Sequence, residues 1–478
     1  MQKTRLIIVG AVLAVIAALP FADYSAVARN AQSAQTGSQG KLSTTDLALI
    51  GGIIQLVQRD YVHPVDSKTL TDDALKGMLN RLDPHSDYMN EQEFRETQAD
   101  IAGKFGGLGI QISSQNGVPK VIAPIADTPA DKAGMQPGDL IVAVNGQSTQ
   151  GMGLTKIVRI LRGDPGTKVT ISVLRGNKNP FDVTITRSII QVASVKSKML
   201  ANNVGYARIT EFGEDTAADF KKAVEGLKGQ ANGGLKGFVL DLRNDPGGLL
   251  TAAVAIGGDF LGSGTVVSIR GRNPEDQHVY KSNGSELLPN VPVVVLINGA
   301  SASASEIVAG ALQDRKRGTI MGTQSFGKGS VQTVIPLNGH GALRLTTALY
   351  YTPSGRSIQG QGISPNVVVE VPKEQQVEGG LVLRESQLQG AFTNPGPLNG
   401  KPDATPAKPA VKTPAAPDGQ TQQSGSGDDG KKFAEEGRDS YSPPIKNELI
   451  GTDKDAQLQA ALDYLRKNPG ITTGQAAQ

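Results

Sequence analysis

Three serines separated by single alanines, Ser301, Ser303 and Ser305, are the residues with the clearest chemical potential in the chain. They lie in NGASASASEIVAGALQD (298–314), after the apolar run VPVVVLI and before a pattern typical of a helix. A serine at a strand-to-helix junction is well exposed, and the next amide N–H can stabilise an oxyanion. Ser303 and Glu306 also match a capping box. Each serine could therefore be a helix cap or a nucleophile.

A serine nucleophile needs a base, and a lysine can serve when burial lowers its pKa. None of the four histidines, His63, His85, His278 and His340, stands beside a strong strand-end motif. Lys328 lies in the Gly-rich stretch GTQSFGKGSVQTVIPL (322–337), and Gln332 can face the same way if the chain is extended. The stretch also matches most of a P-loop. Nucleotide binding is rejected because Gly329 replaces the required hydroxyl and the following residues indicate a strand.

A third junction, LDLRNDPGGLL (240–250), runs from a buried strand through Gly247 and Gly248 into a helix. Glycines let the backbone approach a ligand closely, and a helix start offers free N–H donors. Taken alone, the stretch is more simply a tight turn. Beside a serine and a lysine, it supplies the oxyanion-binding part that Ser–Lys catalysis needs.

Composition narrows the class of protein. A chain of 478 residues is too long for one ordinary core, so we expect two or three domains. The absence of Cys excludes disulfides, thiolate metal sites and thiol nucleophiles. A net charge of +3 gives no support to a nucleic-acid surface.

The N-terminus has the layout of a secretory signal, with Lys3 and Arg5, an apolar core from Leu6, and small residues at Ala26 and Ala28. The alternative is an uncleaved membrane anchor. Both interpretations place the bulk of the chain outside the cytoplasm, and no Cys follows the apolar core to carry a lipid anchor.

The pattern along the chain predicts a series of regions. These are a signal peptide (1–28), a flexible start (29–41), a helical N-terminal region (42–100), a mostly-β domain (101–190), an α/β domain (191–375), a low-complexity and largely disordered linker (376–445) and a helical tail (446–478). In this interpretation LDPHSDYM (82–89) is a turn. The tail helix is expected to dock on its own chain or on a partner chain in a homo-oligomer.

The motifs around Ser303, Lys328 and Gly247 resemble those of the carboxy-terminal processing proteases, which are S41 serine endopeptidases. The resemblance covers roughly residues 45–375 and implies a multidomain α+β fold: a helical N-terminal region, a β-rich PDZ domain and an α/β protease core of the S41 (ClpP/crotonase-like) type. It implies Ser303 as nucleophile, Lys328 as base and Gln332 as the residue that orients the lysine. The oxyanion hole would combine the Ala304 amide with that of Gly247 or Gly248.

The middle domain resembles PDZ in Gly107-Leu108-Gly109-Ile110, which matches the carboxylate-binding loop, and in PADKAGMQPGDLIVAVNG. Successive N–H groups in such a loop form a nest for a terminal carboxylate, and the peptide adds as a strand. Arg162 matches a family position that contacts across the PDZ–protease boundary, and the resemblance implies a gating role for it. The ordinary alternative is a solvated arginine.

The sequence thus predicts an exported Ser–Lys endopeptidase of the bacterial periplasm or cell envelope, without metal or other cofactor. Its expected partners are protein substrates with free C-termini, with an adaptor protein and a homo-oligomer left open. Nucleic acid is not expected, and membrane contact is expected only through an uncleaved signal segment. Two alternatives stay open: a PDZ scaffold with a silent protease fold, and a Ser–His esterase or hydrolase that uses His340.

Overall fold

The computed structural model describes residues 43–115, 117–176, 178–284, 286–377, 383–398 and 444–468. The predicted signal peptide, the flexible start and most of the predicted linker lie outside the described residues. The chain divides into two compact units, Met1–Thr71 and Asp72–Gln478. Within the described ranges, no helix has the length and apolar character needed to cross a membrane.

The N-terminal region contains the helices α1 (Thr44–Asp60), α2 (Ser67–Leu79) and α3 (Glu91–Ile101). A capping box starts α1, in which Ser43 Oγ accepts the Asp46 N–H and the Asp46 carboxylate accepts the Ser43 N–H. The prediction of a turn throughout 82–89 is wrong for its last residues. Asp87–Met89 form a strand, β1, which pairs antiparallel with Ala342–Arg344.

The middle region is a six-stranded antiparallel sheet in the order β3-β4-β5-β7-β8, with β6 paired to β5. A separate ribbon of β2 and β9 stands beside it. The elements are β2 (Lys104–Gly107), β3 (Ile110–Gln115), β4 (Val118–Pro124), α4 (Pro129–Lys132), β5 (Leu140–Val144), β6 (Gln147–Ser148), α5 (Leu154–Leu161), β7 (Lys168–Leu174), β8 (Phe181–Thr186) and β9 (Ser188–Gln191). Alternate residues of the strands pack with Ile157 of α5 in one core.

The α/β region is built on a six-stranded sheet in the order β10-β11-β12-β15-β16-β19, parallel except for the β10–β11 pair. A second sheet joins β1, β18, β13 and β14, with β17 paired to β18. The strands are β10 (Val195–Leu200), β11 (Val204–Ile209), β12 (Gly237–Asp241), β13 (Ser263–Gly271), β14 (Gln277–Asn283), β15 (Val293–Ile297), β16 (Thr319–Gly322), β17 (Ser330–Pro336), β18 (Ala342–Tyr351) and β19 (Val367–Val368). The helices are α6 (Thr216–Gln230), α7 (Leu250–Leu261), α8 (Ala304–Asp314) and α9 (Ala456–Lys467).

Both faces of the parallel sheet are covered, because the strands are apolar on both faces. On one face Phe238 and Leu240 pack with α6, α7 and α8. On the other face Val239 packs with Leu458 and Leu465 of α9. The tail helix therefore docks on its own chain and supplies the second layer of the core. This mixed architecture confirms the predicted fold class.

A buried ion cluster holds the tail at the end of β12. The Arg243 side chain is fully buried and contacts Asp241 at 2.5 Å and Asp455 at 2.6 Å. It also donates to Gln457 Oε1 at 3.0 Å. The cluster joins the residue before α9 to the strand that leads into the Gly247 turn.

Part of the predicted linker has a fixed place. Residues 383–398 contain a short 3-10 turn, Glu385–Gln387, and the Glu385 side chain is fully buried. The first and last residues of the predicted linker, Gln376 and Ile445, form an antiparallel β-bridge with each other. Residues 378–382 and 399–443 of the predicted linker lie outside the described residues.

Candidate active site

Ser303 lies at the sharp turn between β15 and α8, immediately before the first helical residue. Its φ of 56° and ψ of −112° are a positive-φ conformation that costs a non-glycine residue about 1–3 kcal/mol. The neighbouring hydroxyls donate to backbone carbonyls, Ser301 Oγ to Leu242 at 2.7 Å and Ser305 Oγ to Asp245 at 3.0 Å, whereas the Ser303 side chain hydrogen-bonds with Tyr350. Ser301 and Ser305 are fully buried, whereas Ser303 keeps 7% exposure. These features favour Ser303 as the reactive hydroxyl.

Glu306, a fully buried carboxylate of α8, joins the serine turn to the lysine loop. Its Oε2 accepts the Ser303 N–H at 2.8 Å and the Lys328 N–H at 2.9 Å. Its Oε1 accepts the Ser325 hydroxyl at 2.5 Å and the Gly327 N–H at 2.7 Å. Burial raises the pKa of Glu306 to about 7, although these hydrogen bonds oppose the shift. Because two donors share Oε2, the main chains of Ser303 and Lys328 are close neighbours.

Lys328 lies in the loop between β16 and β17, with its side chain largely buried. Burial lowers the pKa of the Lys328 amine below its usual range. Nearby charges modify the shift: Glu385, Glu306 and Asp83 raise the pKa, and Arg344 lowers it. Among the described residues, Nζ has no hydrogen-bond partner. A strand follows at Ser330, so the helix that a P-loop requires is not formed here.

Gly247 lies directly against the serine turn, and Gly248 follows it beside the backbone of Phe212. A Cβ at Gly247, whose φ is 97°, would stand 2.8 Å from the Ala304 nitrogen and 2.9 Å from Ser303 Cβ. The Gly247 N–H is already bound to Asp245 Oδ1 at 2.9 Å. The N–H groups of Gly248 and Ala304 have no acceptor within the described part of the chain. The two glycines that the sequence leaves equivalent therefore differ, and Gly248 is the one with a free donor.

Gln332 is not brought to Lys328 by the hydrogen bonds of the described residues. Its side-chain amide donates to Ser330 Oγ at 2.9 Å and to Thr346 Oγ1 at 3.2 Å. The predicted role requires regular extended chain from Lys328 onward, but the strand begins only at Ser330 and its register shifts between Val331 and Gln332. A bulge of this kind re-aims the side chains that follow it.

A groove in the middle domain runs between β3 and α5. It is lined by Gly107-Leu108-Gly109-Ile110 together with Phe105, Ile112, Val158, Leu161 and Arg162. Gly109 has a φ of 78°, and a Cβ there would stand 2.3 Å from Thr128 Cβ, so only glycine fits. The groove combines backbone of the predicted carboxylate loop with apolar side chains.

Arg162 stands at one end of this groove. Its Nη1 contacts Asp100 Oδ1 of α3 at 2.9 Å, and its guanidinium lies 4.2 Å from the Phe105 ring centroid. Glu211, on the loop after β11, has a raised pKa because of burial and of Asp100, and Arg162 opposes that shift. The direct partner of Arg162 is therefore on α3, and the α/β region interacts with it through Glu211.

Comparison with known proteins finds two family models within these regions. The model of peptidase family S41 matches residues 203–369, and a PDZ model matches residues 120–175. A carboxy-terminal-processing protease of Bartonella bacilliformis is 46% identical over 363 residues, which cover 75% of this chain and 83% of that protein. The chain belongs to peptidase family S41. It is a peptide hydrolase of the carboxy-terminal processing type with a PDZ domain, as the resemblance implied.

A second relative of this S41 protease also comes from a bacterium. The carboxy-terminal processing protease CtpA of Bacillus subtilis is 36% identical over 318 residues, covering 66% of this chain and 67% of that protein. The model of the activating protease CtpB N-terminal domain matches residues 7–93. Among solved structures, a photosystem II D1 C-terminal processing protease is 30% identical and covers 68% of this chain and 94% of that chain, with a TM-score of 0.43.

The predicted alternative base, His340, lies in the turn that connects β17 to β18. The β17–β18 register pairs Ser330 with Leu349 at one end and Pro336 with Ala342 at the other. His340 is thus at the far end of this hairpin from Lys328, and its side chain is exposed. The fold of the S41 protease therefore gives no support to a Ser303–His340 pair.

Sequence reasoning missed the contribution of LDPHSDYM to the surroundings of the lysine. The Asp83 carboxylate accepts N–H groups of His85 and Ser86, each at 2.9 Å, and the Thr346 hydroxyl at 3.0 Å. Thr346 in turn accepts from Gln332. The only signal in the sequence was the density of Asp, His and Ser in this turn, because its partners are more than 240 residues away.

Proposed function

We propose that this S41 protease is an exported Ser–Lys endopeptidase that cleaves proteins from their C-terminal region. The observation that carries the proposal is the shared Glu306 oxygen, which binds the main chains of Ser303 and Lys328 at 2.8 and 2.9 Å. Burial lowers the pKa of the Lys328 amine, and the N–H groups of Ala304 and Gly248 have no acceptor among the described residues. These are the three parts that Ser–Lys acyl transfer requires.

Acylation begins when Ser303 Oγ attacks the scissile carbonyl carbon and its proton passes to the neutral Lys328 amine. The carbonyl oxygen becomes an oxyanion, which the Ala304 and Gly248 N–H groups stabilise. The C–N bond then breaks, and the Lys328 ammonium gives its proton to the leaving amine. The products of this stage are a free C-terminal fragment and an ester on Ser303.

Deacylation repeats the chemistry with water. The neutral Lys328 amine takes a proton from a water molecule as that water attacks the ester carbonyl. The same amides hold the second oxyanion. When the ester C–O bond breaks, Lys328 returns the proton to Ser303 Oγ, and the new C-terminus leaves.

The PDZ groove supplies the selection of substrates in this proposal. The N–H groups of the loop at 107–110 bind a terminal carboxylate, and the apolar lining from Ile112, Val158 and Leu161 takes the last side chain. An apolar C-terminal residue is therefore preferred. Arg162, between the groove and Asp100, is the residue that we propose to couple occupancy of the groove to the protease.

Export is supported by the N-terminal layout of Lys3 and Arg5 followed by an apolar core. We propose the periplasm or cell envelope as the place of action, with the segment to residue 28 removed or retained as an anchor. Immunoblotting of cell fractions for the full chain tests this. Recovery of the protein only with cytosol would overturn it.

The catalytic proposal is tested by cleavage of an unfolded protein with a free apolar C-terminus. Ser303→Ala and Lys328→Ala variants, checked for wild-type thermal unfolding, should each lose at least about 100-fold in rate. His340→Ala is the matched control for the Ser–His alternative and should keep wild-type activity. Full activity in Lys328→Ala, or loss in His340→Ala, would remove Lys328 as the base.

A further inference from the structure

The segment at 383–398 lies beyond the residues matched by the S41 model, yet it packs against the lysine loop. The Glu385 N–H donates to the Phe326 carbonyl at 3.2 Å, two residues before Lys328. Further along, Asn394 Nδ2 donates to the Gln359 carbonyl at 2.7 Å. Backbone and side-chain bonds thus fix this segment next to the candidate base.

The Glu385 side chain is fully buried and makes two polar contacts. His85 Nε2 lies 2.8 Å from Oε2 and 3.0 Å from Oε1. Gln359 Nε2 donates to Oε1 at 3.0 Å. A buried carboxylate is unfavourable unless it is paired, so a fully buried acid at this position needs a compensating partner.

Gln359 connects the Glu385 carboxylate to the lysine loop. Its Oε1 accepts the Gly329 N–H at 3.0 Å, while its Nε2 donates to Glu385 Oε1 at 3.0 Å and to the Phe392 carbonyl at 3.2 Å. Glu306 accepts the N–H groups of the two preceding residues, Gly327 and Lys328. Three successive amides are therefore fixed by two side chains, and Glu385 orients one of those two.

The charges that face Lys328 come from four different elements. They are Glu385 from the segment after the core, Glu306 from α8, Asp83 from the turn before β1, and Arg344 from β18. His85, from the same turn as Asp83, faces Glu385. Glu385 has the largest electrostatic influence of the four and favours the ammonium form, against the effect of burial.

We propose that Glu385 is a positioning residue for Lys328, because it holds Gln359, which in turn holds the lysine loop at Gly329. The proposal rests on the proposed function, because it assumes that Lys328 is the base. It extends the working site of the protease to a segment outside the matched S41 region and ties it to His85 in the turn before β1.

The test compares the pH dependence of kcat/KM for Glu385→Gln and Glu385→Asp with that of the wild-type chain. Gln removes the negative charge, so the neutral amine forms more readily and the acid limb should move down by about one pH unit. Asp keeps the charge but shortens the side chain, so the limb should stay while kcat falls by about tenfold. Glu374→Gln, an exposed acid on the same stretch of chain, should change neither quantity.

Thermal unfolding of each variant shows whether a change in the pH profile accompanies a loss of stability or occurs in an intact fold. If Glu385→Gln does not fold, Glu385→Asp decides, and a wild-type kcat in that variant overturns the proposal. A folded Glu385→Gln variant with the wild-type limb and kcat overturns it too. In both cases an inactive Lys328→Ala variant shows that the Ser–Lys mechanism still holds, whereas an active one shows that the mechanism itself has failed.

Discussion

Glu306 shows at the scale of one residue how the site is assembled. Its two oxygens accept four donors, which fix the Ser303 turn and the 325–328 loop on one carboxylate. An ionised carboxylate is the right acceptor for four donors, but its burial disfavours the charge. The balance leaves the pKa at about 7, above the usual 4.5.

The pKa of Glu306 is higher in the folded state than in the unfolded state. Folding is therefore coupled to the uptake of a proton at pH values between these two pKa values. The Glu306 contribution to the free energy of unfolding is therefore full below about pH 4.5 and is lost as pH rises to about 7. The expected loss is about 3 kcal/mol. Urea unfolding at both pH values measures it, and the difference between wild type and Glu306→Gln isolates it from Asp245 and Asp259, whose pKa values burial also raises. An identical pH dependence in the two proteins would contradict the prediction.

The spacing of the serines identified Ser301, Ser303 and Ser305 as candidate nucleophiles. Only the resemblance to the S41 proteases ranked Ser303 above the other two. What separates them is hydrogen bonding to Leu242 and Asp245, which are about 60 residues away along the chain. The role predicted for Gln332 depended on regular extended backbone, and a bulge is invisible to a periodicity argument. Contacts of this kind are decided by tertiary packing and not by local sequence.

At the scale of elements, α9 is part of the protease core. Its apolar residues pack on the face of the sheet opposite α8. The ion pair between Arg243 and Asp455 holds the start of the helix in place. The helical spacing of Leu458, Ala461 and Leu465 predicted the helix, but the choice between its own chain and a partner needed the structure. Strand β1 was not predicted, because a strand of three residues is too short to show a recognisable alternation of apolar and polar residues.

Replacement of Asp455 by Ala should lower the free energy of unfolding by about 3–5 kcal/mol, because it leaves the fully buried Arg243 short of a counter-charge. Asp455 also accepts the Leu458 N–H at the start of α9, so the cap is lost as well. Urea unfolding measures the change. Asp463→Asn, on the exposed side of the same helix, is the control and should stay within about 0.5 kcal/mol of wild type. Equal effects of the two substitutions would show that the cluster does not stabilise the fold.

The carboxylate loop of the PDZ domain gives a second test at this scale. Gly109→Ala should weaken binding of a peptide with a free apolar C-terminus by at least about tenfold, because its Cβ would stand 2.3 Å from Thr128 Cβ. Gly146→Ala is a matched control, since Gly146 has a φ of 77° but nothing within 4 Å of the added Cβ. Fluorescence anisotropy measures both affinities. The loop assignment is wrong if the two variants bind equally.

At the scale of the whole molecule, Arg162 connects three regions. It lines the PDZ groove, pairs with Asp100 of α3 and faces Glu211 of the protease core. The sequence supplied the domain order through motifs that are local, such as the PDZ loop and the strand-to-helix turns. Residues 383–398 were predicted to belong to a largely disordered linker because of their composition, although the Glu385 side chain is fully buried.

Addition of a peptide that occupies the PDZ groove should change the rate of cleavage of a second, C-terminally blocked substrate. This response should fall at least about fivefold in Arg162→Ala, because the arginine no longer joins the groove to α3. Arg159, one turn earlier and half exposed with a looser contact to Glu96 at 3.9 Å, is the control position. Rates with and without peptide measure the response. A wild-type response in Arg162→Ala would place the coupling elsewhere.

The most direct test of the central claim is to find which atom becomes acylated. A fluorophosphonate probe that reacts with activated serines should label the full chain once, and peptide mass spectrometry should place the adduct on Ser303. The labelling rate should fall by at least about 100-fold in Lys328→Ala, because the proton acceptor is gone. An adduct on Ser301 or Ser305, or an unchanged rate in Lys328→Ala, would contradict the Ser303–Lys328 assignment.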